Sequence, residues 1–395
     1  MPQAQLPPQP IAYLQSTIPT TQMTTLLINS KILLKRFSRK VEATCGQFGY
    51  WTIQSNTTHR SFVSCGSTLE RLRFARLFLQ TNNPQRRFSL NLSRSLPKRL
   101  LAENELHGLT VLAKKPCPSL EHYTFKIPKF VPMHIAVPND LNEFIEQLPQ
   151  DRRQLLKRLH KSQLRAVFSS SLDFIPEFYK SFLLPSMHLA HGNESVILSP
   201  SKVKHEIVEQ HAEFLQIFND NQCIAAGLCK RSGSTFKLMQ SGWLNGSNSI
   251  LKDGVQAFRI WTALQHAKQL GCHTLDLGGS PPFLSDGVLN YKMRWNASIS
   301  DSFEQFGSHF LLIDPQHTDV QSFFHRHPTL IIDHEGKLGL CSTSPPDSIK
   351  LKHTFSNSIA RFWRLASPIE ALEKQLSIEP TPQIASGWFV NESRG

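Results

Sequence analysis

The chain has 395 residues, 40% of them apolar and 18% charged, with a formal charge of +13 at pH 7. At roughly 100–200 residues per domain there is room for two or three domains, and 26 Phe with 6 Trp exclude a chain that is disordered throughout. Apolar runs such as 223–229 fall far short of the about 18–20 residues a bilayer crossing needs, so no membrane span is expected. The first charge is Lys31, behind a mildly apolar start. That order is the reverse of a secretory signal, and the expected compartment is the cytoplasm. The cysteines are odd in number, scattered, and without a C-x-x-C pair, so neither a disulfide framework nor a zinc knuckle is expected.

Residues 1–30 carry no charge and are rich in Pro, Gln and Thr; they read as a disordered leader, with Met23 as an alternative start. The charge lies in the first third. Residues 1–140 hold 18 Lys/Arg against 6 Asp/Glu, while residues 141–395 hold 25 against 24. A one-signed field of this kind attracts polyanions such as RNA, anionic lipid, an acidic carrier protein or a phosphate-rich cofactor.

From residue 31 the pattern predicts strands at 50–54, 61–64, 88–92 and 109–113, with helices at 68–80 and 96–106. This is a small basic α/β unit, 31–135. Asp140 caps a helix at 141–148. Residues 151–165 read as the next helix, carrying Arg153, Lys157, Lys161 and Arg165 at intervals of four as a cationic ridge, with Leu155, Leu156 and Leu159 turned to a core. Helices at 176–186 and 202–219 follow, then strands at 224–229 and 235–240, a helix at 253–270 and a strand at 273–277. Alternating strands and helices predict an α/β layer fold over 140–315. A β-hairpin at 330–342 and a short helix at 370–376 belong to a C-terminal extension, 320–395.

The informative stretch is 240–296. Asp253 is placed to cap a helix with the apolar stripe Ala257, Ile260, Trp261, Leu264 and Ala267, and Gly271 ends it. The turn at 245–254, with Asn245 and Gly254, lies at that helix's N-terminus, where free amides and the helix dipole suit a pyrophosphate. Gln240 and Trp243 lie on the strand before it, where backbone amides can pair with an extended donor arm and Trp243 either walls a cleft or is an ordinary half-buried strand aromatic. After the strand come Asp276, Gly278 and Gly279, a Pro-containing loop, and Tyr291, Lys292 and Trp295. Asp276 has two readings, a desolvated carboxylate acting as base or a cap for the glycine turn amides.

The order AKQLGCHTLDLGGS, loop, GVLNYKMRWN resembles the C-terminal half of the GNAT-type acyltransferase fold, in its FemAB-like branch. The resemblance spans 140–305 and is strongest over 255–296. The matching positions are Asp276, Gly278, Gly279, Tyr291, Lys292 and Trp295. The Q/R-x-x-G-x-G/A loop of typical GNAT enzymes is absent, so donor binding is not copied from that motif. The resemblance implies a GNAT-like mixed sheet flanked by helices, an α/β (α+β) fold, preceded by the smaller basic unit, which FemAB-like proteins often build as a degenerate GNAT copy.

The implied activity is direct transfer of an acyl group to an amine without a metal. The donor is a thioester (acyl-CoA or an acyl-carrier protein) or, in the FemAB branch, aminoacyl-tRNA. Lys292 is the candidate for meeting oxyanion or phosphate charge and Asp276 the candidate base. Gln240, Trp243, Asn245, Gly254, Gly278 and Gly279 are the candidate donor site, and Tyr291, Trp295 and His211 line the acceptor side. A non-catalytic double-domain binding protein is the alternative from another class. His188-x-x-His191 lacks the carboxylate of H-E-x-x-H, His325 and His327 read as loop residues, and neither G-x-S-x-G nor a phosphate loop occurs.

Overall fold

The computed structural model describes residues 49–58, 60–65, 73–81, 83–90, 96–112, 124–191, 197–252, 254–314, 316–332, 336–344, 359, 361–365 and 389–392. The leader 1–30, Met23, Asp253 and the helix expected at 370–376 lie outside them.

Two mixed sheets organise the chain. It begins with β1 (Gly49–Gln54), β2 (Ser61–Cys65), β3 (Gln85–Leu90), α1 (Leu96–His107), β4 (Leu109–Leu112) and β5 (Thr124–Pro128). Directly after β5 it crosses to the second sheet, built from β6 (Val131–Ala136), β7 (Leu164–Ser169), β8 (Glu213–Asn219), β9 (Gln222–Ser232), β10 (Thr235–Trp243), β11 (Thr274–Ser280) and β12 (Ser298–Ile299). It then returns through β13 (Ser308–Ile313), β14 (Thr329–Ile332), β15 (Leu338–Ser342), β16 (Arg361–Leu365) and β17 (Phe389–Glu392). The first sheet runs 17-16-15-14-5-13-4-2-1-3 and the second 12-6-11-10-9-8-7. The C-terminal strands therefore extend the N-terminal sheet, and β13 sits inside it between β4 and β5.

The second sheet carries the helices α2 (Leu141–Gln147), α3 (Gln150–His160), α4 (Pro200–Gln210), α5 (Val255–Gln269) and α6 (Gly287–Met293), and α7 (Thr318–Arg326) packs on the first. Asp140 caps α2 by accepting from the Asn142 amide. Gly271, at φ +66, ends α5, with Cys272 N bonded to the Ala267 carbonyl. Leu156 and Leu159 of α3 meet Ile260, Trp261 and Leu264 of α5 over Phe236, Leu238, Leu275 and Leu277. The first sheet packs Phe62, Phe74, Phe78 and Phe323 edge to face or tilted. Burying four rings of this size is a large part of that unit's stability.

Three expectations change. The helix read as 202–219 stops at Gln210, where His211 turns left-handed (φ 51), and Glu213–Asn219 is strand β8. Phe214, Leu215 and Ile217 are buried between more exposed polar neighbours, and pairing on both edges holds that stretch extended. Arg165 leaves the helical ridge, because α3 ends at His160; it lies on β7 with its guanidinium over the Phe218 ring, 4.2 Å from the centroid. Gly278 and Gly279, expected in a turn after the strand, lie within β11.

Candidate functional site

β10 and β11 are parallel neighbours for three residues only. Thr235, Phe236 and Lys237 pair with Thr274, Leu275 and Asp276, and there the pairing ends. Both strands become irregular at that point. β10 shifts register against β9 between Leu238 and Gln240, and β11 shifts against β6 between Asp276 and Gly279. A bulge adds a residue and bends its strand, so two bulges side by side turn the strands apart.

On the β11 side the break is made by Asp276 and the glycines. Asp276 Oδ1 accepts the Gly278 amide at 2.7 Å, and Gly278 takes φ +74, which a side chain resists. A Cβ on Gly279 would stand 2.9 Å from Phe130 Cβ. The parted end presents the Gly278 and Gly279 carbonyls to Lys292 of α6, whose Nζ donates to each at 2.9 Å. Asp286 holds α6 in place by capping the Val288 and Leu289 amides. Of the two sequence readings of Asp276, the structure displays the cap; its other oxygen lies 3.5 Å from Lys237 Nζ.

Lys292 is 8% exposed. Burial pushes its amine down to about 7, and the Arg259 charge pushes the same way against Asp276 and Asp286. A buried amine with that value exchanges its proton near neutrality. Arg259, on α5, escaped sequence reasoning. Its stem runs over Gly227 of β9, where a Cβ would sit 3.8 Å from Arg259 Cδ, and its Nε donates to Gln256 at 2.9 Å. Gly227 faces Ser241 across the β9–β10 ladder, so Arg259 spans from the β10 side of the break towards Lys292. Its sequence signal is a lone arginine in a helix buried on most sides, with Val255, Ala257, Ile260, Trp261, Ala263 and Leu264 all buried.

Arg152 of α3 is a second unforeseen cation. It is buried, its guanidinium lies 4.5 Å from the Tyr291 ring centroid and 6.0 Å from that of Trp295, and its Nε, 3.9 Å from Asp151 Oδ2, makes no hydrogen bond among the described residues. Among the described residues, Tyr291 Oη and Trp295 Nε1 likewise reach no partner in hydrogen-bond geometry. Burial raises the Tyr291 phenol, so it stays protonated. Arg152 precedes Leu156 by four and Leu159 by seven, which puts it in the apolar stripe, and that spacing was the available signal.

The other expected positions form a separate flank. Gln240 Oε1 accepts the Leu198 amide at 3.1 Å. Trp243 is 9% exposed and packs with Ile217, Ala225 and Val255, its backbone pinned by the Ser186 hydroxyl. It is therefore a packed aromatic and not the wall of an open cleft. Asn245 turns left-handed (φ 52), and Gly254 (φ 88) precedes α5, where a Cβ would stand 2.9 Å from Leu155 Cδ1. His211 is exposed beside the start of β8, and among the described residues no hydrogen bond or ion pair joins it to Asp276 or Lys292. The cationic ridge is real as far as Arg153, Lys157 and Lys161, all exposed.

No family model matches the sequence, and no curated protein matches it. Among solved structures the chain is similar to FemX, at 11% identity over 67% of this chain and 83% of the other, with a TM-score of 0.38. It is similar to L-PGS from Bacillus licheniformis at 10% over 69% and 83%, with a TM-score of 0.32. It is also similar to a GCN5-related N-acetyltransferase from Kribbella flavida at 14% over 65% and 82%, with a TM-score of 0.25.

Proposed function

We propose that the chain is an N-acyltransferase in which an activated acyl carbonyl meets an amine at the parted ends of β10 and β11. The observation that carries this reading is Lys292, buried against two carbonyls beside Arg259, with an amine that changes charge near pH 7. It is joined by the resemblance of 255–296 to GNAT-type, FemAB-like enzymes.

In this reading the free amine attacks the acyl carbon, and the new C–N bond leaves an oxyanion. Protonated Lys292 and the fixed charge of Arg259 supply positive potential in a water-poor site, where such donors act most strongly. Lys292 gives its proton to the leaving thiol or hydroxyl as the C–S or C–O bond breaks, and takes one back from the former amine nitrogen. Protons balance, and the enzyme returns to its starting state.

The donor proposed first is a thioester, acyl-CoA or an acyl-carrier protein. Aminoacyl-tRNA is the second reading, favoured by the net +12 of residues 1–140 and by the exposed Arg153, Lys157 and Lys161. The deciding experiment incubates the full chain with acyl-CoA, acyl-carrier protein or charged tRNA plus mixed amines and follows transferred groups by mass. Transfer from a thioester supports the first reading, and transfer from tRNA alone replaces it with the second. No transfer from any donor, with binding retained, would leave the non-catalytic binding protein.

A further inference from the structure

The first sheet carries a second set of matched groups, far in sequence from Lys292. Polar residues of β1 and β3 face α1 on one side of the sheet, and Thr52, Gln54, Gln85, Arg87, Glu103 and His107 bound a cleft of about 490 Å³. Beside the cleft, Ser61 Oγ lies 2.5 Å from Nδ1 of the lining residue His107. His107 Nε2 lies 3.2 Å from Glu103 Oε2, and the Tyr50 hydroxyl donates to Glu103 Oε1 at 2.9 Å.

The proton positions follow from the partners. An ionised carboxylate only accepts, so Nε2 carries the imidazole proton and Nδ1 is left to accept from the Ser61 hydroxyl. Glu103 and His107 are one turn apart on α1, which fixes their spacing. Ser61 opens β2 opposite Gln54, a residue of the cleft wall. A hydroxyl, a base within hydrogen-bond reach and an acid orienting that base are the parts of an activated nucleophile. Burial holds His107 below its ordinary value, so it is neutral, and able to take a proton, at pH 7. Arg87, opposite Thr52 on that face, stands in the same cleft and forms no ion pair among the described residues.

We propose that Ser61 is the nucleophile of a second site, one that accepts an acyl group from an activated ester or thioester bearing an anionic group. Ser61 Oγ bonds the acyl carbon and its proton passes to His107 Nδ1. The ester C–O or thioester C–S bond breaks, and His107 returns the proton to the departing alcohol or thiol. Water then repeats the sequence on acyl-Ser61 and releases the acid. Glu103 is a positioning residue, acting through His107, and Arg87 attracts the anion. This site is independent of the amine-transfer reading, and either can fail alone.

The test treats the full chain with 4-nitrophenyl acetate, follows the burst of nitrophenol, and maps the acetyl group by peptide mass. The expected result is one acetyl group on Ser61, lost in Ser61→Ala. In His107→Gln, a near-isosteric change with a folding check by circular dichroism, formation slows about 100-fold or more. Inorganic phosphate should slow the burst in the wild type and less so in Arg87→Gln. His107 faces Glu103 from its own helix and His317 from the segment before α7. Glu103→Gln removes the group holding the imidazole value up, so the pH profile of the burst should move to lower pH, which a merely structural role would not do. Acetyl found only on lysine or cysteine, no acetylation, or an undiminished burst in Ser61→Ala would each overturn the proposal. Insensitivity to phosphate would overturn its anionic substrate.

Discussion

Lys237 and Asp276 are the last residues that β10 and β11 share, and their side chains close the ladder with Nζ 3.5 Å from Oδ2. Lys237 is 43% exposed, so the ion pair itself is worth no more than about 1 kcal/mol. What Asp276 does for the site is the bond to the Gly278 amide. Asp276→Asn keeps an acceptor there and should keep kcat/KM within a few-fold, whereas removing a general base costs about 10²–10⁴-fold. Asp276→Ala loses the turn bond, about 1 kcal/mol, and should lower activity by loosening the carbonyls that hold Lys292. A large loss in Asp276→Asn, in a folded protein, would restore the base reading.

Lys292 makes two separable predictions. Its folded value of about 7 lies below the 10.5 of a free lysine. Between those values the unfolded chain holds a proton that the folded chain has shed, so stability rises with pH through that window. The difference in Tm between wild type and Lys292→Met should therefore shift in favour of the wild type from pH 7 towards pH 10. A parallel pair of curves would show an ordinary lysine. Activity of Lys292→Met should fall about 100-fold or more if the amine meets oxyanion charge.

Much of this site was legible from local pattern. The strand–glycine–helix order of 273–296 and the spacing of Lys292 from Gly278 follow from chain continuity, and the structure joins them through two hydrogen bonds. Arg259 and Arg152 were not legible as a pair, because their convergence depends on how α3 and α5 pack over the sheet. Trp243 left two readings open for the same reason: an aromatic at a strand end packs inward or lines a cleft according to its neighbours, and here it packs on Val255 and Ile217. β13 and β14 join the first sheet through pairings across more than 100 residues of sequence, which periodicity does not encode, and β15 to β17 then add through short-range pairings.

Gly242 fixes how the helical segment 172–191 lies on β10. A Cβ there would stand 2.1 Å from the Phe182 carbonyl oxygen and 2.8 Å from the Leu183 amide, both backbone atoms that cannot rotate away. Gly242→Ala should destabilise by about 1–3 kcal/mol or more, the range of core overpacking. A thermal melt unchanged from wild type would mean that the helix docks elsewhere.

Glu206 tests the second sheet's stability from the acid side. It is 5% exposed on α4 and meets Lys202 at 2.9 Å and Lys230 of β9 at 2.6 Å. Burial alone would raise its carboxyl, but hydrogen bonds from Lys230 and Lys202 outweigh burial and bring it below its ordinary value. A depressed folded value means that the unfolded chain takes up its proton first as pH falls. The stabilisation is therefore complete above the ordinary carboxylate range and is lost as pH drops through the folded value. Glu206→Gln leaves Lys230, itself only 17% exposed, without its counter-charge. The loss at pH 7 should be about 1–3 kcal/mol, the range for hydrogen bonds to a charged group whose lysine partners stay partly in solvent. Urea melts of wild type and Glu206→Gln at pH 7 and at pH 3 measure both terms. The gap between the two proteins should narrow at the lower pH, because acid removes from the wild type the same carboxylate charge that the substitution removes at every pH. A gap that stayed constant would assign the difference to packing of the amide and not to the charge.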